Sequence, residues 1–118
     1  MADEIPPRQG GLAPGKVEAL ASLVSYQDGT VVSRTIVNNP AGTVTLFAFA
    51  EGEGLSEHTA PFDALLQVLE GEAEVAVSGS GSTVREGEAI VLPAGKPHSV
   101  RASKRFKMLL TMIRSRQA

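Results

Sequence analysis

The fold of this chain is decided by two stretches, Gly52-Glu-Gly-Leu-Ser-Glu-His58-Thr-Ala60-Pro-Phe-Asp-Ala64 and Gly87-Glu-Ala-Ile-Val-Leu-Pro93-Ala-Gly95-Lys-Pro-His98. Each of them predicts a short strand, a glycine or proline turn, and a histidine at the start of a second strand. The two stretches contain both histidines of the chain, His58 and His98. They are therefore the first place to look for a functional site.

The composition is that of one globular domain. A chain of 118 residues is long enough to bury a core without crosslinks. It contains no cysteine, which excludes a disulfide framework, a cysteine nucleophile and a thiolate ligand. No apolar run resembles a signal peptide or a membrane span. We therefore expect a cytoplasmic protein with no membrane partner.

The charges are segregated along the chain although the net charge is only −2. Residues 51–88 contain nine acidic side chains and one basic one, whereas residues 96–116 contain seven basic side chains and no acidic one. The slightly negative total argues against nucleic acid as a partner. The basic end is either an anion-binding patch or a solvated strand face that lies near the acidic strands, and the second interpretation is favoured.

Periodicity divides the chain into a tail and one all-β domain. Residues 1–15 are rich in proline and glycine and predict a mobile tail, and residues 16–118 form the domain. Residues 17–26 have a near-helical apolar spacing that favours one short helical turn or two. The rest alternates with period two between turn signals, which predicts about nine strands in a sandwich or barrel. We expect a tight hairpin at Glu70-Gly71 and a glycine–serine loop at residues 78–82.

The last predicted strand, residues 106–113, carries apolar side chains on both faces. One face has to fill the barrel. The other face contains Leu109 and Ile113, and it would be exposed in a monomer. We therefore expect a homodimer in which a second copy covers it.

The first stretch resembles the first signature motif of the cupin superfamily, and in particular that of small, single-domain, RmlC-like members. Gly52, His58 and Gly71 stand at the motif's glycine, first histidine and last glycine. Ala60 occupies the place of the second histidine, and Ala64 occupies the place of the glutamate. The spacing is kept without an insertion.

The second stretch resembles the second cupin motif. Gly87, Pro93, Gly95 and His98 match it, and Ala102 replaces its asparagine. The likeness extends over residues 30 to about 114. It implies an all-β fold, the cupin-type double-stranded β-helix or jelly-roll barrel.

The resemblance also implies where a site lies. In the family, the two histidines and the glutamate of the first motif and the histidine of the second bind a divalent first-row metal inside the barrel. Residues i and i+2 of a strand point to the same side, so His58 and His98 are expected to face each other on the track that Ala60 and Ala64 share. Half of the ligand set, including its carboxylate, is missing.

Three interpretations of His58 and His98 stay open. They bind a small organic molecule in the barrel as its polar groups, or they weakly bind a divalent metal as part of an enzyme of the dioxygenase, isomerase or decarboxylase type. In the third interpretation they belong to a non-catalytic scaffold. Asp63 and Gln67 are the candidates for a replacement ligand, although Asp63 is expected to cap a turn and Gln67 to face outward. Whether the protein is an enzyme, and on which substrate, stays undecided at this point.

Overall fold

The structure is a computed structural model that describes residues 11–114 of the chain. Within this range lie nine strands and one short 3-10 turn, and no helix is long and apolar enough to cross a membrane. The predicted all-β class and the short N-terminal turn are confirmed. The elements are a 3-10 turn at Leu20–Leu23 and the strands β1 Val31–Asn39, β2 Gly42–Phe49, β3 Gly54–His58, β4 Asp63–Glu70, β5 Glu72–Val77, β6 Ser80–Arg85, β7 Ala89–Leu92, β8 His98–Arg101 and β9 Phe106–Ile113.

The strands form two antiparallel sheets that enclose one core. The five-stranded sheet has the order β1-β2-β9-β4-β7, and the four-stranded sheet has the order β3-β8-β5-β6. Consecutive strands β4 and β5 belong to different sheets, so the chain crosses between the sheets at Gly71. This is the jelly-roll topology that the sequence predicts, but the predicted hairpin at Glu70-Gly71 is wrong because β4 and β5 do not pair.

Large side chains fill one end of the barrel. Phe49 of β2 and Phe106 of β9 are opposite each other in the register, and their rings stack with centroids 4.5 Å apart. Both rings are fully buried. Because offset-stacked rings pack without voids, this end of the barrel is closed. The other large, fully buried side chains of this core are Leu66, Val68, Val75 and Met108.

The N-terminal segment, residues 11–26, covers part of the outer face of the five-stranded sheet. Val24 is 4% exposed and packs in one cluster with Leu46 and Ala48. The apolar side chains of Leu12 and Leu109 pack against the same cluster. The expectation that Leu109 is left outside is therefore wrong, since this chain covers it. The predicted tail lies outside the described residues for positions 1–10.

A second turn differs from the expectation. Ser78 and Gly79 both have positive φ, 51° and 82°, and they join β5 to β6 as a two-residue hairpin. Positive φ at both central residues matches the right-handed twist of the flanking strands. The predicted glycine–serine loop at residues 78–82 is therefore wrong from Ser80 onward, where β6 begins.

An apolar row crosses the outer face of the five-stranded sheet beyond the N-terminal segment. The row has one residue from each strand, and Val37 and Val91 at its two ends are 45% and 55% exposed. Ile113, next to the row, is 56% exposed. Val37 and Ile113 line a common depression of about 290 Å³. The members of this outer row, in register, are Val37, Val44, Thr111, Leu65 and Val91.

A homodimer through this outer row stays a prediction. A charge at Ile113 should weaken association much more than folding, since the side chain is exposed in the single chain. Sedimentation equilibrium at micromolar concentration should show a dimer for the parent and a monomer for Ile113→Asp. The matched control is Val17→Asp, which changes a 95% exposed valine outside the outer row and should leave the dimer intact. A parent that sediments as a monomer would remove the prediction.

Candidate functional site

The two histidines lie on neighbouring strands of the four-stranded sheet. His98 is the first residue of β8, as expected from the sequence, whereas His58 is the last residue of β3 and not the first of a new strand. The two Cα positions are directly opposite each other in the register. Val100, two residues after His98, is in the barrel core. Since side chains alternate along a strand, His98 points into the barrel as well.

The two imidazole rings are in contact. Their centroids are 4.4 Å apart and the rings meet edge to face at 68°. The two rings differ in burial, because His98 is only 7% exposed whereas His58 is exposed. We call these residues the histidine pair. One of its members is fixed inside the barrel, and the other is open to an incoming molecule.

Each ring is oriented by a main-chain carbonyl two residues before it. The Nδ1 atom of His58 lies 2.9 Å from the Ser56 oxygen, and that of His98 lies 3.2 Å from the Lys96 oxygen. A carbonyl oxygen only accepts hydrogen bonds, so Nδ1 is the donor in both rings. In a neutral ring, Nε2 is then unprotonated and is an acceptor. The histidine pair thus presents two Nε2 lone pairs of fixed orientation.

Burial keeps His98 neutral. It lowers the pKa of His98 below the ordinary value, and repulsion from His58 lowers that pKa further, whereas the hydrogen bond to the Lys96 carbonyl acts in the opposite direction. Burial is the largest of these effects, because the charged imidazolium loses hydration inside the barrel. His98 therefore remains a hydrogen-bond acceptor at pH values at which an exposed histidine would already be protonated.

The structure places the four other candidate positions away from a ligating role. Ala64 lies in the core cluster and Ala60 lies beside the β7–β8 loop, where its carbonyl accepts a 2.8 Å hydrogen bond from the Gly95 amide. The Asp63 carboxylate accepts a 2.8 Å hydrogen bond from the Ala94 amide, so it caps a turn. Gln67 alternates with the core residues of β4 and is paired with the outward Leu109.

The side chains around the histidine pair do not fit the divalent first-row metal that the resemblance to the cupin motifs implies. In residues 11–114, no three side chains of the types His, Cys, Asp and Glu converge on one point. The histidine pair supplies two neutral nitrogens, and the one nearby carboxylate, Asp63, is engaged by a main-chain amide. Two neutral donors without charge compensation do not match the usual coordination of a resident divalent metal. We therefore derive no chemical step through a metal.

The barrel is open at the end where the histidine pair lies. The inward row at this end contains Met112 and Ala64, which are opposite each other in the register. Met112 and the next inward residue of β9, Leu110, are partly exposed, in contrast to the fully buried Met108 further in. A small molecule that enters from this end would contact apolar side chains and then the histidine pair.

The family follows from comparison with known proteins. The family model "Cupin domain" matches residues 45–113, which include both histidines and strands β3 to β9. This chain belongs to the cupin family. The match accounts for the barrel.

Solved structures give the same fold. A conserved protein of unknown function from Streptococcus pyogenes is 32% identical, with a TM-score of 0.84 over 90% of this cupin and 93% of that chain. A Cupin 2 conserved barrel domain protein from Leptotrichia buccalis is 44% identical over 80% of this cupin, which spans 46% of that chain, with a TM-score of 0.78. An RmlC-like cupin protein from Desulfovibrio desulfuricans is 28% identical over 83% of this cupin and 95% of that chain, with a TM-score of 0.73. No curated protein matches this cupin.

Sequence reasoning identified the histidine pair but missed the groups that orient it. The carbonyls of Ser56 and Lys96 are main-chain atoms, which every residue has, so no residue type marks them. Their role depends on the local path of the chain before each histidine. That path becomes visible only in three dimensions.

The lowered pKa of His98 predicts the pH dependence of stability. Between the lowered pKa and about 6.5, the unfolded chain binds a proton at this position that the folded chain does not. The contribution of His98 to the free energy of unfolding is therefore complete above about pH 6.5. Below that value, the free energy of unfolding should fall as the pH decreases. Urea unfolding of the parent and of His98→Gln at several pH values should show a shallower slope in the variant.

The control for this prediction is His58→Gln. This change removes only the repulsion from the neighbouring ring, and the larger effect of burial on His98 remains. Most of the slope should therefore persist in His58→Gln. Equal slopes in the parent and in His98→Gln would contradict the prediction.

Proposed function

We propose that this cupin binds a small organic molecule in the open end of its barrel, with His58 and His98 as the polar groups. The observation that carries the proposal is the orientation of the histidine pair. Both Nδ1 atoms donate to main-chain carbonyls, so both Nε2 atoms are acceptors while the rings are neutral. Pre-oriented acceptors bind a ligand without the entropic cost of fixing a mobile side chain.

The surroundings of the pair favour a ligand with an apolar body and a hydroxyl or other donor. Met112 and Leu110 supply partly exposed apolar surface at the open end. A largely apolar cavity with few, well-placed polar groups is the usual composition of a small-molecule site. Because His98 is 7% exposed and its pKa is lowered, its acceptor role persists below neutral pH.

Nuclear magnetic resonance tests this function directly, because the chain has only two histidines and gives only two imidazole Cε1–H signals. Titration with a library of small hydroxylated compounds should identify ligands that shift both signals together. The affinity of such ligands should fall about tenfold in His58→Leu, which removes one acceptor at an exposed position.

The matched control is Arg101→Leu, an exposed residue on the outward face of β8. This variant keeps the histidine pair and should bind the same ligands with unchanged affinity. A library in which no compound shifts either histidine signal would contradict the proposed function and would leave the non-catalytic scaffold as the better interpretation.

The alternative function is a metal-dependent enzyme that uses a reduced two-histidine site. The free Nε2 atoms favour it, since metal-binding histidines commonly have Nδ1–H bound to a carbonyl. The missing carboxylate argues against it, because neither Asp63 nor Gln67 faces the pair.

Restoring the family's ligands separates the two functions. The double variant Ala60→His/Ala64→Glu should bind Mn²⁺ or Ni²⁺, because the resemblance to the cupin motifs implies that the missing ligands belong at these two positions. Loss of even a supporting hydrogen bond around a metal site lowers affinity about 10–100-fold, and loss of a ligand costs more. The parent should therefore bind these metals at least about tenfold more weakly in calorimetric titrations. Equal affinities, abolished by His98→Ala in the parent, would favour the enzyme.

A further inference from the structure

Hydrogen bonds tie the segments at the open end of the barrel into one rim. The Arg114 amide donates to the Ala41 carbonyl at 2.9 Å, which joins the end of β9 to the β1–β2 turn. The Ala94 amide donates to the Asp63 carboxylate, and the Gly95 amide donates to the Ala60 carbonyl, both at 2.8 Å. These contacts run from the five-stranded sheet across the β7–β8 loop to the histidine pair. Arg114 and the histidine pair therefore lie at the same end of the barrel, on opposite sheets.

Arg114 is fixed at this rim by two contacts. Its Nη1 atom donates to the Asn39 carbonyl at 2.9 Å, and its guanidinium carbon lies 6.0 Å from the centre of the Phe62 ring. Arg114 lies two residues after Met112, and Phe62 lies two residues before Ala64. Both lie just outside the strands, Arg114 directly after β9 and Phe62 directly before β4, so both belong to the rim. An exposed arginine that is held by a carbonyl and a ring loses little entropy when it binds a ligand.

No acidic side chain of the described residues neutralises the Arg114 guanidinium. Within residues 11–114, no carboxylate lies at ion-pair distance from Arg114. The nearest acid in the register is Asp63, which is paired with Ile113, but its carboxylate is directed to the Ala94 amide. The Asn39 carbonyl uses one of the five guanidinium N–H groups. The remaining donors have the fork geometry that binds a carboxylate through two parallel hydrogen bonds.

We propose that Arg114 is the specificity-determining anchor of the barrel site and that it selects planar carboxylates which also carry a hydroxyl group. The carboxylate binds to Arg114, the planar apolar body lies along Phe62 and Met112, and the hydroxyl donates to an Nε2 atom of the histidine pair. This inference rests on the proposed function and adds to it the chemical class of the ligand. The basic end of the chain thereby has one residue in an anion-binding role.

Three related probes test the inference: 4-hydroxybenzoate, benzoate and phenol. Their affinities are measured from the shifts of the two histidine signals in the parent and in Arg114→Gln. The variant should bind 4-hydroxybenzoate and benzoate about tenfold more weakly or worse, since a hydrogen-bonded charge pair is lost. It should bind phenol with less than about a twofold change. Arg114→Lys, which keeps the charge but not the fork, should recover part of the affinity for the two carboxylates.

The matched control is Arg101→Gln, which removes an exposed arginine from the outward face of the four-stranded sheet. It changes the net charge as Arg114→Gln does, and it should leave all three affinities unchanged. Melting temperatures of both variants show whether loss of the Asn39 contact disturbs the rim.

The outcomes separate this inference from the proposed function. Phenol and benzoate could both shift the histidine signals while Arg114→Gln changes neither affinity. In that case the proposed role of Arg114 is wrong, and the proposed binding of small molecules in the barrel is retained. Equal weakening of all three probes would assign Arg114 a structural role and would also overturn the inference. If no probe shifts either histidine signal in the parent, both the ligand class and the binding function for such molecules fail.

Discussion

The central strand β9 is the constraint on which the rest of the structure depends. It pairs along its length with β2 on one side and β4 on the other. It also carries apolar side chains on both faces, so both faces have to be covered. Its inward side chains, from Phe106 to Met112, fill the barrel from the closed end to the open end. Its outward Leu109 is covered by the N-terminal segment.

The motif spacing was sufficient to predict the barrel. Glycines at the turns and alternating apolar residues between them constrain the chain to short strands, and no insertion disturbs the two stretches that contain the histidines. The connections were harder to predict. The chain forms a corner between the two sheets at Gly71, where the backbone lies close to Arg105 and Phe106. This corner requires glycine, because an added Cβ would lie 2.8 Å from the Arg105 carbonyl and 3.0 Å from Phe106 Cβ. This close approach depends on a segment more than thirty positions away, which no local pattern contains.

Strand β6 is a second element that the local sequence does not predict. The residues Ser80-Gly-Ser82 have low intrinsic strand preference, and they are strand residues because β5 pairs with them across the Ser78-Gly79 turn. Tertiary pairing thus overrides local preference. The contribution of the N-terminal segment was also missed, since its apolar residues are few and find their partners only on the assembled sheet.

For the site, the sequence predicted which histidines meet, because the resemblance to the two cupin motifs implies that both lie at ligand positions inside the barrel. It could not predict how each ring is turned, since that depends on the carbonyls of Ser56 and Lys96. Nor did it identify the rim arginine among the other basic residues of the C-terminal third. What distinguishes Arg114 from Arg101 is not its residue type but its position at the end of β9, next to Asn39 and Phe62.

The N-terminal segment ends at a contact with a spectroscopic consequence. Tyr26 donates a hydrogen bond to the Glu70 carboxylate, and the Arg105 guanidinium lies 4.5 Å from the centre of its ring. Burial and the Glu70 carboxylate both raise the pKa of this phenol. The chain has one tyrosine and no tryptophan, so its ultraviolet fluorescence arises from this ring next to β4 and β9. The emission of the unlabelled protein therefore reports on whether the N-terminal segment is attached to the barrel, independently of the state of the site at the open end.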